Sequence, residues 1–352
     1  MKKYFHWALI GLSIILLLAT ISLIIIQIYG NQLIDNAGRN EDWDEHHGTV
    51  LKDQSYGHKI QNTYDLYIPT TAPKALMLYI HGGSWVSGNK EEGEWFCRRF
   101  AKLGYATATM NYSLLSPKDP SVCMPVMLKE ISQCIHRINE QLNENGHNIT
   151  QMAIAGYSAG AHLALLYANK DQSKHTLPIK FCINMVGPTD LRYLFKIPQT
   201  TLDSINADTK AGRIHPEKEK LEALAFYAAA HVMSTSEQCT TEFIDSLLFS
   251  ASPVKYINEG TTPCILAYGA NDHLIYDTLL YALTAHNIEH EFILYPNSDH
   301  LLANDTLHTR KLNEAIKAFA NKYFDLLLSG KLFKDTIYAS ASPILWGCGC
   351  FI

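Results

Sequence analysis

The chain is poor in charge, and what charge it has leans acidic. Of 352 residues, 18% are Asp, Glu, Lys or Arg, and the net charge is −5. That leaves no basic stripe of the kind that follows a phosphate backbone, so a nucleic-acid partner is excluded as the expected ligand. No internal repeat and no low-complexity block occurs, which excludes solenoids and propellers. The eight cysteines include no CxxC pair and no Cys/His spacing suited to zinc, so neither a metal nor a cofactor is expected. Cys123 and Cys134 fall on one expected helix, about 16 Å apart along its axis, so they cannot bond each other.

The most localised absence is at the N-terminus. Between Lys3 and Asp35 there is no Asp, Glu, Lys or Arg. The core of that stretch, residues 7–29, is long enough to span hydrocarbon as a helix, and no A-x-A-like site follows it. An uncleaved signal anchor is therefore expected in residues 1–35, with a cleaved secretory signal as the alternative. Lys2 and Lys3 precede the run, whereas Asp35, Glu41, Asp42, Asp44 and Glu45 follow it against Arg39 alone. That bias places the N-terminus in the cytoplasm and the rest of the chain outside, with the lipid bilayer as a partner. The next polar stretch, residues 36–60, reads as a linker. Three N-x-S/T sequons start at Asn111, Asn148 and Asn304, and they matter only in a glycosylating secretory pathway. At the other end, residues 329–352 form an apolar tail. It is not a C-a-a-X box, because Gly349 stands fourth from the end.

What is present in between is a strand–helix rhythm. Residues 64–69 alternate apolar and polar, as an antiparallel strand does. Residues 75–80 are continuously apolar, as in a strand buried on both faces, and they run into His81-Gly82-Gly83-Ser84-Trp85. Further strands are expected at 105–110, 152–155, 180–186, 263–268 and 291–295. Helices are expected at 92–103, 124–145, 161–168, 276–286 and 309–328. The stretch 191–250 breaks the rhythm with helical and polar sequence, and reads as a cap or lid, or as plain decoration of one face. Such alternation argues an α/β fold with a mostly parallel sheet and helices on both faces. Sites in such sheets lie at the carboxyl ends of strands.

The densest signal is Gly156-Tyr157-Ser158-Ala159-Gly160, set between a strand and a helix. A Gly-x-Ser-x-Gly turn in that context is the nucleophile elbow, which holds a serine hydroxyl out at the sheet edge. A serine needs a base, and the base needs an orienting group. In this chain order the acid precedes the histidine. Among His286, His290, His300 and His308, only His300 lies in the loop after the last strand. Asp272 ends the strand before it; Asp190 is the runner-up, and Asp299 adjoins the base too closely to orient it. The amides of Gly83, Ser84 and Ala159 are the expected donors to a tetrahedral oxyanion. His81 is expected to pin the glycine loop, and His162 to be structural.

Taken together these strings resemble the α/β-hydrolase superfamily. More narrowly they resemble its esterase/lipase group, with the hormone-sensitive-lipase-like and feruloyl-esterase-like (BD-FAE) domains. The resemblance rests on His81–Trp85 with Ser87-Gly88-Asn89-Lys90, on Asn111-Tyr112, on Gly156–Ala164, and on Asp272 and His300. It covers residues 64–328, and a hydrolase domain is expected over 61–328. Ser84 stands where many members have a third glycine, and Ala161 where glycine is frequent. The resemblance implies a serine hydrolase cleaving carboxylic esters through an acyl-enzyme, with short-chain or carbohydrate-linked acyl groups favoured. An amide or peptide hydrolase on the same fold, or a catalytically inactive extracytoplasmic binding domain, are the alternatives.

Overall fold

A computed structural model describes residues 39, 41–116, 118, 119, 121–213, 215–233 and 239–324. The expected membrane span at 7–29 and the tail at 329–352 lie outside them. Among the described residues no helix is long and apolar enough to cross a membrane.

One eight-stranded sheet organises the chain, in the order β1-β2-β4-β3-β5-β6-β7-β8. The strands are β1 (Gly48–Ser55), β2 (Thr63–Pro69), β3 (Leu76–Ile80), β4 (Ala106–Met110), β5 (Met152–Tyr157), β6 (Ile179–Met185), β7 (Cys264–Gly269) and β8 (His290–Tyr295). The β1/β2 and β2/β4 ladders are antiparallel, and the remaining pairs are parallel. Strands β3, β4 and β5 are buried at every residue. That burial explains their unbroken apolar runs: with both faces covered, no position faces water.

The cover comes from helices α1 (Glu94–Ala101), α2 (Met124–Glu144), α3 (Ala159–Asn169), α8 (Asp277–Ala285) and α9 (Thr306–Phe324). α1 and α9 are tied across one face, where Arg99 Nη1 donates to Asn313 Oδ1 at 3.1 Å. α3 packs on β5, β6 and β3, with α2 against it. In α2 the apolar stripe Met127, Ile131, Ile135, Ile138 and Leu142 is fully buried, at the 3.6-residue spacing of one helix face.

The reading of residues 36–60 as a linker gives way over residues 48–55. Residues 48–55 form β1, the edge strand of the sheet, and residues 63–69 are the second strand rather than the first. As an edge strand β1 has one neighbour only, and its residues are half-buried or exposed, none of them fully buried. Its polar composition, with Lys52, Asp53 and Gln54, suits that half-solvated place and hides it from a pattern search. Before it, Trp43 sets its ring edge-on to Tyr67 at 5.4 Å. Lys52 and Lys90 both pair with the fully buried Asp65 at 2.8 Å, which gives the buried carboxylate two cations.

Among the described residues, the break in rhythm at 191–250 holds four helices: α4 (Leu191–Leu194), α5 (Gln199–Lys210), α6 (Lys218–Ala229) and α7 (Thr241–Ser250). α6 packs on α7 and α2, and α7 packs on α4. The described cysteines Cys97, Cys123, Cys134, Cys182 and Cys264 are buried free thiols. Cys123 caps α2 and Cys134 lies within it.

Candidate active site

Ser158 sits between β5 and α3 with φ 51° and ψ −120°, a left-handed φ that a non-glycine residue adopts only at a cost. Two close approaches hold it there. A Cβ on Gly156 would lie 2.3 Å from the Gly160 carbonyl oxygen, and one on Gly160 would lie 2.1 Å from the Ile80 oxygen. The Ser158 N–H continues the sheet ladder to Met185 O at 2.8 Å. The turn is thus clamped between β3 and β6, and its side chain emerges at the carboxyl edge.

The loops after β7 and β8 are joined to each other. Gly269 leaves room for the backbone of the next loop, since a Cβ there would lie 2.2 Å from Asp299 O. Ala270 N donates to Tyr295 O at 2.9 Å and Asn271 N to Ser298 O at 3.0 Å. Asp305 secures the second loop by accepting from Ser298 Oγ at 2.7 Å and from the Asn297 side chain at 2.8 Å.

This joining brings three side chains into line. His300 Nδ1 lies 2.7 Å from Asp272 Oδ2, and His300 Nε2 lies 2.8 Å from Ser158 Oγ. The Asp272 side chain has no exposure. Its burial pushes its pKa up, but the His300 hydrogen bond and charge and the Leu274 N–H outweigh that and hold it below the ordinary value. A carboxylate can only accept, so the Nδ1–H donates to Asp272, and Nε2 is left to accept from the Ser158 hydroxyl.

The other acids and histidines are elsewhere. Asp190 caps α4, accepting from Arg192 N at 3.1 Å and pairing with the Arg192 guanidinium at 2.6 Å. Asp299 accepts from Leu301 N at 2.9 Å. His286 ends α8, His290 opens β8, and His308 lies in α9.

The amides expected to meet an oxyanion are oriented by the carbonyls across each planar peptide. Gly83 O accepts from Val86 N and Ser87 N, each at 3.0 Å. In a trans peptide the next N–H points the opposite way, so the Ser84 N–H faces away from those donors. Gly82 O accepts from the Tyr112 hydroxyl at 3.2 Å and faces His81 Nδ1 at 2.8 Å, which turns the Gly83 N–H away from them. Ser158 O accepts from His162 N inside α3, so the Ala159 N–H points out of the helix start. Among the described residues no hydrogen bond engages these three N–H groups. The loop is strained to hold this shape: Gly83, Ser84 and Trp85 have φ of 98°, 51° and 62°.

His81 stacks on Tyr112 with ring centroids 4.4 Å apart, and burial lowers its pKa to about 4. It is a neutral post under the loop. His162 is fully buried, its Nε2–H donates to Ala251 O at 2.8 Å, and burial lowers it to about 4.

Two residues at the site have no sequence signal. The Tyr157 hydroxyl donates to the His300 carbonyl. The Arg39 guanidinium lies 4.4 Å over the Tyr157 ring, and its Nη2 donates to Leu301 O at 3.3 Å. Tyr157 occupies a variable position of the motif, and Arg39 lies in what reads as linker.

Two clefts meet at Ser84. One, of about 600 Å³, is lined by Ser158, His300, Tyr157 and Arg39, with Glu91, Glu92 and Glu94 around it. The other, of about 720 Å³, is lined by Trp85 and by the helices of residues 191–229. Those helices therefore wall a cleft beside the site.

The chain is similar to several known proteins. The BD-FAE family model matches residues 64–283, well over half the chain. A probable isoprenylcysteine alpha-carbonyl methylesterase of Oryza sativa subsp. japonica is 32% identical over 117 residues, 33% of this chain and 27% of its own length. The chain thus spans only about a quarter of that relative. An acetyl esterase of Salmonella schwarzengrund is 24% identical over 241 residues, 68% of each chain. The crystal structure of esterase B from Lactobacillus rhamnosis superposes with a TM-score of 0.58 at 19% identity, covering 89% of this chain and 97% of that one. That likeness shows the α/β-hydrolase fold.

Proposed function

Because the chain belongs to the BD-FAE family of α/β-hydrolase-fold proteins, we propose that it is a carboxylic ester hydrolase whose triad is Ser158, His300 and Asp272. One observation carries the proposal: His300 faces Ser158 Oγ at 2.8 Å through one ring nitrogen and the buried Asp272 at 2.7 Å through the other. His300 Nε2 takes the Ser158 proton as Oγ attacks the acyl carbon. It gives that proton to the departing alkoxide when the ester C–O bond breaks. Water then repeats the sequence on the acyl-enzyme and releases the acid. Asp272 holds the imidazole in the acceptor tautomer and offsets its charge when protonated. The N–H groups of Gly83, Ser84 and Ala159 receive the oxyanion, each loss costing roughly 2.7–4 kcal/mol.

The likeness to an acetyl esterase and the family resemblance favour short-chain or carbohydrate-linked acyl esters. The cleft beside His300, where Arg39 and three glutamates stand among the rings of Tyr79, Trp95 and Tyr157, suits a hydroxyl-rich alcohol. The test is covalent labelling by a fluorophosphonate together with hydrolysis of p-nitrophenyl esters. Folded wild-type protein that neither labels nor hydrolyses, or a Ser158→Ala variant that still labels, overturns the proposal.

The catalytic domain is further proposed to sit outside the membrane on an N-terminal anchor at 7–29, since that stretch is uncharged and follows Lys2 and Lys3. External protease on intact cells then digests the domain. A domain fully protected in intact cells and cleaved in lysed ones places it on the inner side instead.

A further inference from the structure

The two clefts at Ser84 differ in chemistry, and the proton path distinguishes what each can hold. This inference rests on the ester-hydrolase reading above. The alkoxide that leaves must come within reach of His300 Nε2, because that nitrogen supplies its proton. The alcohol half of the substrate therefore occupies the cleft that His300 lines. That cleft carries Arg39, Glu91, Glu92 and Glu94 beside the rings of Tyr79, Trp95 and Tyr157, which suits an alcohol with hydroxyls at its edge and a face that can lie on aromatic rings. The acyl substituent needs a separate place, and Ser84 is the residue that lines both clefts.

Beyond Ser84 lies the second cleft. Its walls are Trp85, Leu194, Phe195, Ile205, Leu221 and Leu224, contributed by the glycine loop and by α4 to α6. Lys196, Glu217 and Lys220 also line it, yet the walls are dominated by aliphatic and aromatic side chains. Trp85 is held in place by its edge-on contact with the buried His162 ring at 5.1 Å. The walls offer hydrophobic contact along most of their length and few partners for a hydroxyl or a charge. At about 720 Å³ the cleft is far larger than an acetyl group needs. Eight methylenes, each taken as about a water's 30 Å³, fill roughly a third of it.

We propose that the cleft between the glycine loop and helices α4 to α6 is an acyl site, and that the substrate is a medium-chain fatty acyl ester of a polar alcohol. This moves the expected acyl length upward from the short chains that the family resemblance favours, and it gives the helical insertion a role in specificity. Each buried methylene is worth at most about fourfold in kcat/KM.

The experiment is a chain-length series of p-nitrophenyl esters from acetyl to dodecanoyl, on wild type and on Leu224→Trp, which fills the cleft. The octanoyl-to-acetyl ratio of kcat/KM is expected to exceed ten in wild type and to fall at least tenfold in Leu224→Trp. An acetyl optimum in wild type, or a ratio unmoved by the substitution, overturns the acyl site while leaving the ester-hydrolase reading intact. If folded wild type hydrolyses no ester, the parent reading fails, and the cleft is judged on binding alone. Calorimetry of Ser158→Ala with p-nitrophenyl octanoate is then expected to show binding that Leu224→Trp weakens at least tenfold. No binding to Ser158→Ala, or equal binding with Leu224→Trp added, overturns the site. Circular dichroism of Leu224→Trp guards against misfolding, and Phe195→Ala is the second variant, expected to shift the optimum to longer chains.

Discussion

The hydroxyl of Tyr157 donates to the backbone carbonyl of His300. The residue that immediately precedes the proposed nucleophile thus grips the loop that carries its base. The grip is reinforced from the N-terminal side, where Arg39 covers the Tyr157 ring and binds the Leu301 carbonyl. Tyr157→Phe is expected to lower kcat about tenfold with KM little changed, because the loop rather than substrate binding is loosened. Misplacement by about 1 Å can cost a hundredfold. Arg39→Ala is expected to act in the same direction, with Arg39→Lys recovering part of the loss. Steady-state kinetics that show a rise in KM alone contradict this positioning role.

Asp272→Asn should leave the fold intact and lower kcat by about 10⁴-fold, since an amide can stabilise the wrong imidazole tautomer. The same variant has a stability signature. The Asp272 pKa is below its ordinary value in the folded protein. Its contribution is therefore full above the unfolded pKa near 3.9 and disappears as pH falls through the lower folded value. Urea unfolding below pH 4 is expected to show a shallower loss of stability in Asp272→Asn than in wild type. Identical pH slopes contradict the pKa assignment.

The buried histidines add to the loss of stability in acid, and they do so at higher pH than Asp272. His81 and His162 both titrate near pH 4 in the folded protein because burial disfavours the imidazolium. Between the unfolded value of about 6.5 and pH 4, the unfolded chain binds more protons than the folded one. Stability is accordingly full above pH 6.5 and falls as pH is lowered towards 4, by up to about 3 kcal/mol for each histidine. His162→Gln retains a donor for Ala251 O and removes the titration. It is expected to flatten the urea midpoint between pH 7 and pH 4, and an unchanged slope counts against a neutral His162.

Gly160→Ala tests the clamp on the elbow. The added methyl meets the carbonyl oxygens of Ile80 and His81 at 2.1 and 2.3 Å, with no side chain able to move aside. Overpacking of this kind typically costs about 1–3 kcal/mol or more. A drop in melting temperature together with loss of fluorophosphonate labelling is expected. Wild-type stability and labelling would mean that the turn has room the geometry does not show.

Much of the frame was legible in residue order. The doubly buried strands β3 and β5 announce themselves as apolar runs, and α2 as a 3.6-residue stripe. The edge strand β1 was hidden because a strand with one neighbour and partial burial has no need of an apolar pattern. Arg39 was hidden for a related reason: a single long cation in a polar stretch has no periodicity to betray it.

By itself the sequence determined the local devices: Gly156 and Gly160 flanking Ser158, the Gly82-Gly83 turn, and a histidine after the last strand. Each depends on backbone conformation over a few residues, which neighbouring side chains largely dictate. Only the tertiary structure decided that Asp272 rather than Asp190 faces His300, that Gly269 admits the Asp299 backbone, and that two unlike clefts share Ser84 in their walls. Those relations join loops after different strands. They follow from the lateral order and register of β5 to β8, which arise from long-range pairing and are written in no short string of residues.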